Sequence, residues 1–273
     1  MMAAVNRESY AAAVEKLTAD SASVTAAQLA TIADEVLAVA RLLRGEPRLR
    51  RALTDPSRSG EERAGLFRSL VSGKLSVITV DAIAQLVSGR FSSPHELLDA
   101  TERLAVDTVL SAGDRDGKLA DVEDELFRFG QVVSGNSELA VTLSDPSAPA
   151  DRKAKLVEDL LKSKAQPATV QLIKVALDGF GGRGFESSLT KLVELTAAKR
   201  DREIAYVTAA KLLGDAEEQR LAAKLSDIYG RQVSLKVLVD PSIIGGLSVR
   251  VGSDLYDGTI LRRLNAARQA FAK

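Results

Sequence analysis

Cysteine and tryptophan are both absent from this chain of 273 residues, and it has a single histidine, His95. Without cysteine there are no disulfides, no thiolate metal sites and no cysteine nucleophile, and the composition fits a reducing compartment. One histidine leaves a histidine-based metal site or a Ser-His-Asp arrangement nothing to spare. Its place beside Pro94, in the first turn of an expected helix, is that of an exposed residue without chemistry. Serines are plentiful, but no G-x-S-x-G elbow occurs. Net charge is also missing: 37 acidic and 37 basic side chains cancel, so no long-range field draws the chain onto nucleic acid or anionic lipid. Partners have to be recognised by shape and apolar contact. No stretch approaches the ~18 apolar residues of a membrane span. The N-terminal MMAAVNRESYAAAVEKL has no basic region followed by an apolar run, so membrane association is expected only through another protein.

What is present is alanine, leucine and valine in helical spacing. Thr25 and Gln28 stand at capping-box distance ahead of Leu29, Ile32, Val36, Val39 and Leu43, which share one face before Gly45. Ser59 with Glu62, and Ser93 with Pro94 and Glu96, open further helices. Acidic pairs such as Glu61-Glu62 and Glu217-Glu218 belong to first turns, where they complement the helix dipole. A repeat then becomes visible. Leu53, Asp55, Pro56 and Ser57 recur as Leu143, Asp145, Pro146 and Ser147, ninety positions later, and Val80 and Ile83 recur as Val170 and Ile173. SGRFSSPHELLDATERL answers GGRGFESSLTKLVEL, out of the ninety-residue register. Only the first copy is preceded by the helical stretch Ser9 to Leu17, so the second is expected to use Lys118 to Ser134 differently at its start.

After Arg200 the periodicity changes. Glu203 to Ala210 reads as a strand, Asp215 as the cap of a helix running to about Tyr229, and QVSLKVLVD as a strand with Val233, Leu235, Val237 and Val239 on one side. Thr259 to Phe271 returns to helical spacing. The expected fold is mainly α with an α+β C-terminal domain: two tandem helical bundles, then a small sheet with a glycine-bounded hairpin and flanking helices. The expected boundaries are 1–113, 114–201 (repeating about 33–110) and 202–273.

Chemistry is hard to place on this chain. The glycines of DPSIIGGLSVRVGSDLYDG fit neither G-x-x-x-x-G-K-[ST] nor G-x-G-x-x-G spacing. Leu247, Val249 and Val251 alternate with Ser248 and Arg250 as a strand; Gly252, Ser253 and Asp254 make a turn, Gly245 and Gly246 a sharp bend, and Asp257 with Gly258 closes the hairpin. AGDRDGKLADVE puts Asp114, Asp116, Gly117 and Glu123 at EF-hand positions, but Ala112 takes the first place, where calcium needs a carboxylate; a solvated Asp-Gly turn is the expectation. Arg262 and Arg263 read as a solvated helix face, with an acidic partner as the other possibility. No catalytic, cofactor-binding or metal-binding residue is expected.

The C-terminal run carries a resemblance. Asp240, Pro241, Ser242, Ile244, Gly245, Gly246, Val249, Val251, Gly252, Asp257 and Gly258 stand in the order of the C-terminal signature of the delta subunit of F-type ATP synthase, the bacterial counterpart of the mitochondrial oligomycin-sensitivity-conferring protein. Tyr10, Ala11 and Ala13 resemble the family's first helix, and LTDPSRSGEERAGLFRSL and SGRFSSPHEL its later ones. Lys118 to Arg200 departs from the usual single bundle, as expected of an enlarged actinobacterial form. The resemblance implies a non-catalytic stator subunit, peripheral on the cytoplasmic face of the bacterial plasma membrane, that ties the catalytic head to the peripheral stalk. The implied partners are the N-terminal helix of an alpha subunit, in a groove for which Tyr10, Ala11, Ala13, Ile83, Leu86 and Val87 are candidates, and a b-type stalk subunit at the C-terminal segment. Bundle core is the plainer assignment for any one of those six. The signature glycines are expected to shape the segment and to touch no ligand. A helical-repeat scaffold unrelated to the synthase stands as the alternative.

Overall fold

A computed structural model describes residues 4–145, 147–252, 254–262 and 264. The chain divides into two compact units, Met1–Leu192 and Val193–Lys273, and both helical copies fall within the first except for the C-terminal half of the last helix, which runs on to Lys199.

The first copy consists of α1 (Ala4–Asp20), α2 (Ala26–Gly45), α3 (Pro47–Leu53), α4 (Gly60–Val71), α5 (Val77–Ser88) and α6 (Pro94–Arg115). Its starts are set locally. Thr25 and Ser59 each form a full capping box with Gln28 and Glu62, and the Ser93 hydroxyl accepts from the Glu96 amide at 3.3 Å. The apolar stripe expected on α2 is the one buried: Leu29, Ile32, Val36, Val39 and Leu43 are all in the core. α2 packs along α6, and α5 sits among α1, α2, α4 and α6.

The second copy runs through α7 (Leu119–Ser134), α8 (Ser137–Ser144), α9 (Ala150–Leu161), α10 (Pro167–Leu177), a short 3-10 turn (Phe180–Gly182) and α11 (Phe185–Lys199). Its core repeats that of the first at the ninety-residue offset: Leu29 and Leu119, Val36 and Leu126, Leu53 and Leu143, Phe67 and Val157, and Ile83 and Ile173 are all buried. Lys118 to Ser134 is used less differently than expected, because α7 lies at the offset of α2. The missing first helix is supplied by α6, which occupies 94–115 where α1 plus ninety would begin at 94. α10 packs on α6, α7 and α9 much as α5 packs on α1, α2 and α4. One helix therefore closes the first copy and opens the second. Pro146 lies outside the described residues.

The second unit holds β1 (Arg202–Ala209), α12 (Asp215–Tyr229), β2 (Gln232–Val239), β3 (Leu247–Val251) and β4 (Asp254–Asp257). The sheet order is β2-β1-β3-β4, with β1 parallel to β2 and antiparallel to β3. Register places Ala205 opposite Leu235 and Val251, and Val207 opposite Val237 and Val249, on one face; with Val233 and Leu225 these form the unit's core. The alternation expected in β2 and β3 is thus the alternation observed. The α12 cap shifts by one residue, because Glu217 rather than Glu218 reaches back, its carboxylate accepting from the Gly214 amide at 3.0 Å. Helix is present at 260–262 and at 264; the remainder of the expected last helix, with Ala267 and Phe271, lies outside the described residues.

Candidate functional site

α1 packs on α5, and the end of α5 comes close to α1 where a glycine stands. A β-carbon added at Gly89 would collide with the Ser9 side chain, so glycine there lets the two helices approach closely. Of the six candidate groove residues, Ala13, Ile83, Leu86 and Val87 are fully buried and form the core that joins the pair. Tyr10 turns inward and donates its hydroxyl to Asp107 on α6, while Arg103 Nε binds the other oxygen of that carboxylate at 3.0 Å. Burial first, and Asp107 second, push the Tyr10 phenol far up. Ala11 alone of the six is exposed. The outer surface of the pair is formed instead by Ala12 and Lys16 on α1 and by Asp81, Gln85 and Ser88 on α5, each at least partly exposed.

Two further residues, absent from the expectations, hold this pair in place. Glu35 on α2 accepts from the Ser76 amide at 3.1 Å, from the Ser76 hydroxyl at 2.6 Å and from the Thr79 hydroxyl, which anchors the N-terminus of α5 on a carboxylate. At the other end of α5, buried Arg63 donates to the carbonyls of Val87, Ser88 and Gly89 at 2.9 to 3.2 Å, and also to Asp55 and Arg58. The first device recurs at the ninety-residue offset, and of the second only the contact to the loop carbonyl does. Glu125 accepts from the Gln166 amide at 2.8 Å and the Thr169 hydroxyl at 2.5 Å, and Lys153 reaches the Asp145 carbonyl at 3.0 Å. The repeat itself was the signal that could have found them.

The copies are joined at Glu102 of α6. One oxygen meets Arg44 Nη2 at 2.5 Å and the other accepts from the Gly181 amide at 2.9 Å, across the turn that follows α10. Gly181 has φ +59, which a side chain adopts only at a cost. Close by, burial raises the Asp178 carboxyl above its ordinary range against the opposing pull of Arg44 and Arg41.

In the second unit the signature residues bind one another. The Asp240 amide donates to the Ala209 carbonyl and the Asp240 carboxylate accepts from the Ser242 amide, both at 2.9 Å. The Ser242 contacts hold that carboxyl below the usual range. The Gly258 amide donates to the Leu247 carbonyl and the Ile260 amide to the Gly245 carbonyl, each at 3.0 Å, while Asp257 accepts from the Thr259 amide at 2.9 Å. Gly246 has φ +84 and Gly252 φ +57, the bend and the turn that the sequence requires. Pro241 follows Asp240 in the same loop. These contacts close the hairpin onto the start of the last helix. Ser253 lies outside the described residues.

The other chemical possibilities resolve simply. Asp114 and Arg115 continue α6, Gly117 at φ +67 ends it, and α7 begins at Leu119; helix at both ends leaves no room for a twelve-residue calcium loop. Among the described residues no group of three or more His, Asp or Glu side chains is arranged to hold a metal ion. His95 is exposed. Arg262 donates to the Asp257 carbonyl at 3.2 Å; Arg263 lies outside the described residues. No described helix is long and apolar enough to cross a membrane. Ile228, Leu255 and Tyr256 are exposed apolar side chains in the second unit, and the Tyr256 hydroxyl lies 3.1 Å from that of Tyr229.

Known proteins match this arrangement along its whole length. The chain is 57% identical over 273 residues to the ATP synthase subunit delta of Salinispora arenicola (strain CNS-205), covering all of both chains. It is 55% identical, again over all of both, to that of Salinispora tropica. Against that of Streptomyces griseus subsp. griseus it is 44% identical, covering 99% of this chain and 100% of the other. The family model described as "ATP synthase delta (OSCP) subunit" matches twice, over residues 7–108 and 106–271, so that the two matches meet inside α6. With a helical unit built twice around that helix and a signature-bearing sheet unit after it, the chain belongs to the ATP synthase delta (OSCP) subunit family.

Proposed function

We propose that this subunit, structural and not catalytic, ties the catalytic head to the peripheral stalk by seating a foreign helix on the outer surface of α1 and α5. The observation that carries this reading is the contrast across the pair. Ala13, Ile83, Leu86 and Val87 are buried, whereas the small and polar side chains Ala12, Lys16, Asp81, Gln85 and Ser88 are each at least partly exposed. A small-residue floor with charged edges accepts an amphipathic helix along its apolar stripe. The N-terminal helix of an alpha subunit is the proposed occupant. The sheet unit would take the b-type stalk subunit, with Ile228, Leu255 and Tyr256 as its apolar contacts. The whole would lie on the cytoplasmic face of the bacterial plasma membrane, held there by the complex.

A connection under repeated torque needs slow dissociation more than fast association, which interfaces of about 1,600 Å² with packed anchors provide. Family membership removes the unrelated-scaffold alternative. The test is a calorimetric titration of the full chain with a synthetic alpha-subunit N-terminal helix, beside the double variant Ala12→Arg/Gln85→Arg, whose fold is checked by circular dichroism. Saturable binding to the unaltered chain, weakened at least tenfold in the variant, is the expected result. Absence of binding to the unaltered chain sinks the seat.

A further inference from the structure

Superposing the two copies by their ninety-residue offset shows what has become of the same surface in the second. There α6 stands for α1 and α10 for α5. The solvated face of α1 carries Glu8, Ala11, Glu15 and Lys16, all exposed; the same positions on α6 are Leu98, Thr101, Ala105 and Val106, all buried. Charged side chains have given way to apolar or small ones where α6 is packed against the first copy, and α2 is the helix that runs along it. Such an exchange of character is what burial of that face against a neighbour demands.

α2 also reaches the α10 side. Gln171 Nε2 on α10 donates to Asp34 Oδ1 on α2 at 2.6 Å. A small cavity between the three helices is lined by Leu37, Ala40 and Arg44 of α2, Glu102 of α6, Val175 of α10 and Asp178 just beyond it. At the offset, Glu102 corresponds to Ala12, Gln171 to Asp81, Val175 to Gln85 and Asp178 to Ser88. These first-copy positions are the outer surface of the α1 and α5 pair. The surface exposed on the first copy therefore faces, on the second, a helix of the chain itself, which packs on α6 and is bonded to α10 through Gln171.

We infer that the second copy's helix seat is closed by the chain's own α2, so that the duplicated protein offers a single seat of this kind, on the first copy. This rests on the seat proposed above. The second copy then acts as a rigid extension, clamped through Glu102, Arg44 and the Gly181 amide, and takes no second helix of the same class.

The experiment is the stoichiometry of the synthetic alpha-subunit helix on the full chain, by calorimetry at a protein concentration well above the dissociation constant. One equivalent is expected. Gln171→Arg, on the second copy, leaves the affinity unchanged within twofold, whereas Ala12→Arg/Gln85→Arg weakens the single binding event at least tenfold. Two equivalents, a binding event of undiminished affinity left in the double variant beside the weakened one, or a loss of affinity in Gln171→Arg would overturn the inference while leaving the first seat standing. Failure of the peptide to bind the unaltered chain overturns both.

Discussion

Arg63 shows how much one side chain can hold. It is buried, and its compensation comes chiefly from five backbone carbonyls, three of them at the end of α5. The last carbonyls of a helix have no partner within the helix, and a guanidinium fork satisfies several at once while complementing the dipole. At the same position the second copy has Lys153, a point charge that donates to the Asp145 carbonyl. Arg63→Ala is expected to destabilise the helical unit by about 3 kcal/mol, because carbonyls are left buried without donors. Arg63→Lys, which re-creates the second copy's solution, should cost about half as much. Chemical denaturation followed by ellipticity at 222 nm measures both, and equal losses from the two substitutions would show that the carbonyl contacts contribute nothing beyond charge and volume.

Elements were legible in the sequence to the extent that their causes are local. Capping boxes at Thr25 and Ser59, the period-two pattern of β2 and β3 and the breaks at Gly45 and Gly252 depend on residues a few positions apart, and the structure reproduces them. Glu35 and Arg63 were not legible, since their partners lie 41 and 24 positions away. Ile83, Leu86 and Val87 are apolar at helical spacing, which marks a side that is covered without saying whether this chain or a partner covers it; α1, α2, α4 and α6 surround α5 and bury them. The hairpin offers a test at this scale. At Gly246, φ is +84 and an added β-carbon would lie 2.5 Å from the Gly258 carbonyl oxygen, which belongs to the backbone and cannot swing aside. Gly246→Ala should therefore cost the sheet unit about 3 kcal/mol. Gly65→Ala, in the middle of α4 with nothing within 4 Å, should instead stabilise by about 1 kcal/mol. A thermal melt of each variant decides it; a neutral Gly246→Ala would mean that the signature glycines are not there for backbone shape.

At the scale of the molecule, the consequence of duplication is that α6 belongs to two cores. As the last helix of one copy it packs on α1, α2, α3 and α5; as the first of the next it packs on α7 and α10. Two bundles on a flexible tether would each unfold alone, whereas bundles sharing a central helix cannot, because loss of that helix exposes apolar surface in both. The helical unit, 192 residues long, should accordingly behave as one cooperative body. Leu104 on α6 is 1% exposed, and Leu104→Ala should cost about 3 kcal/mol through the cavity it leaves. Hydrogen exchange with mass analysis of the full chain locates that loss. Protection should fall together in peptides from α4 and α5 and in peptides from α9 and α10, by similar factors, while β1 and β2 keep theirs. A fall confined to residues 26–90 would mean that the second copy holds itself together without the first. A stator built that way would bend between its copies and would pass less of the rotor's torque to the stalk.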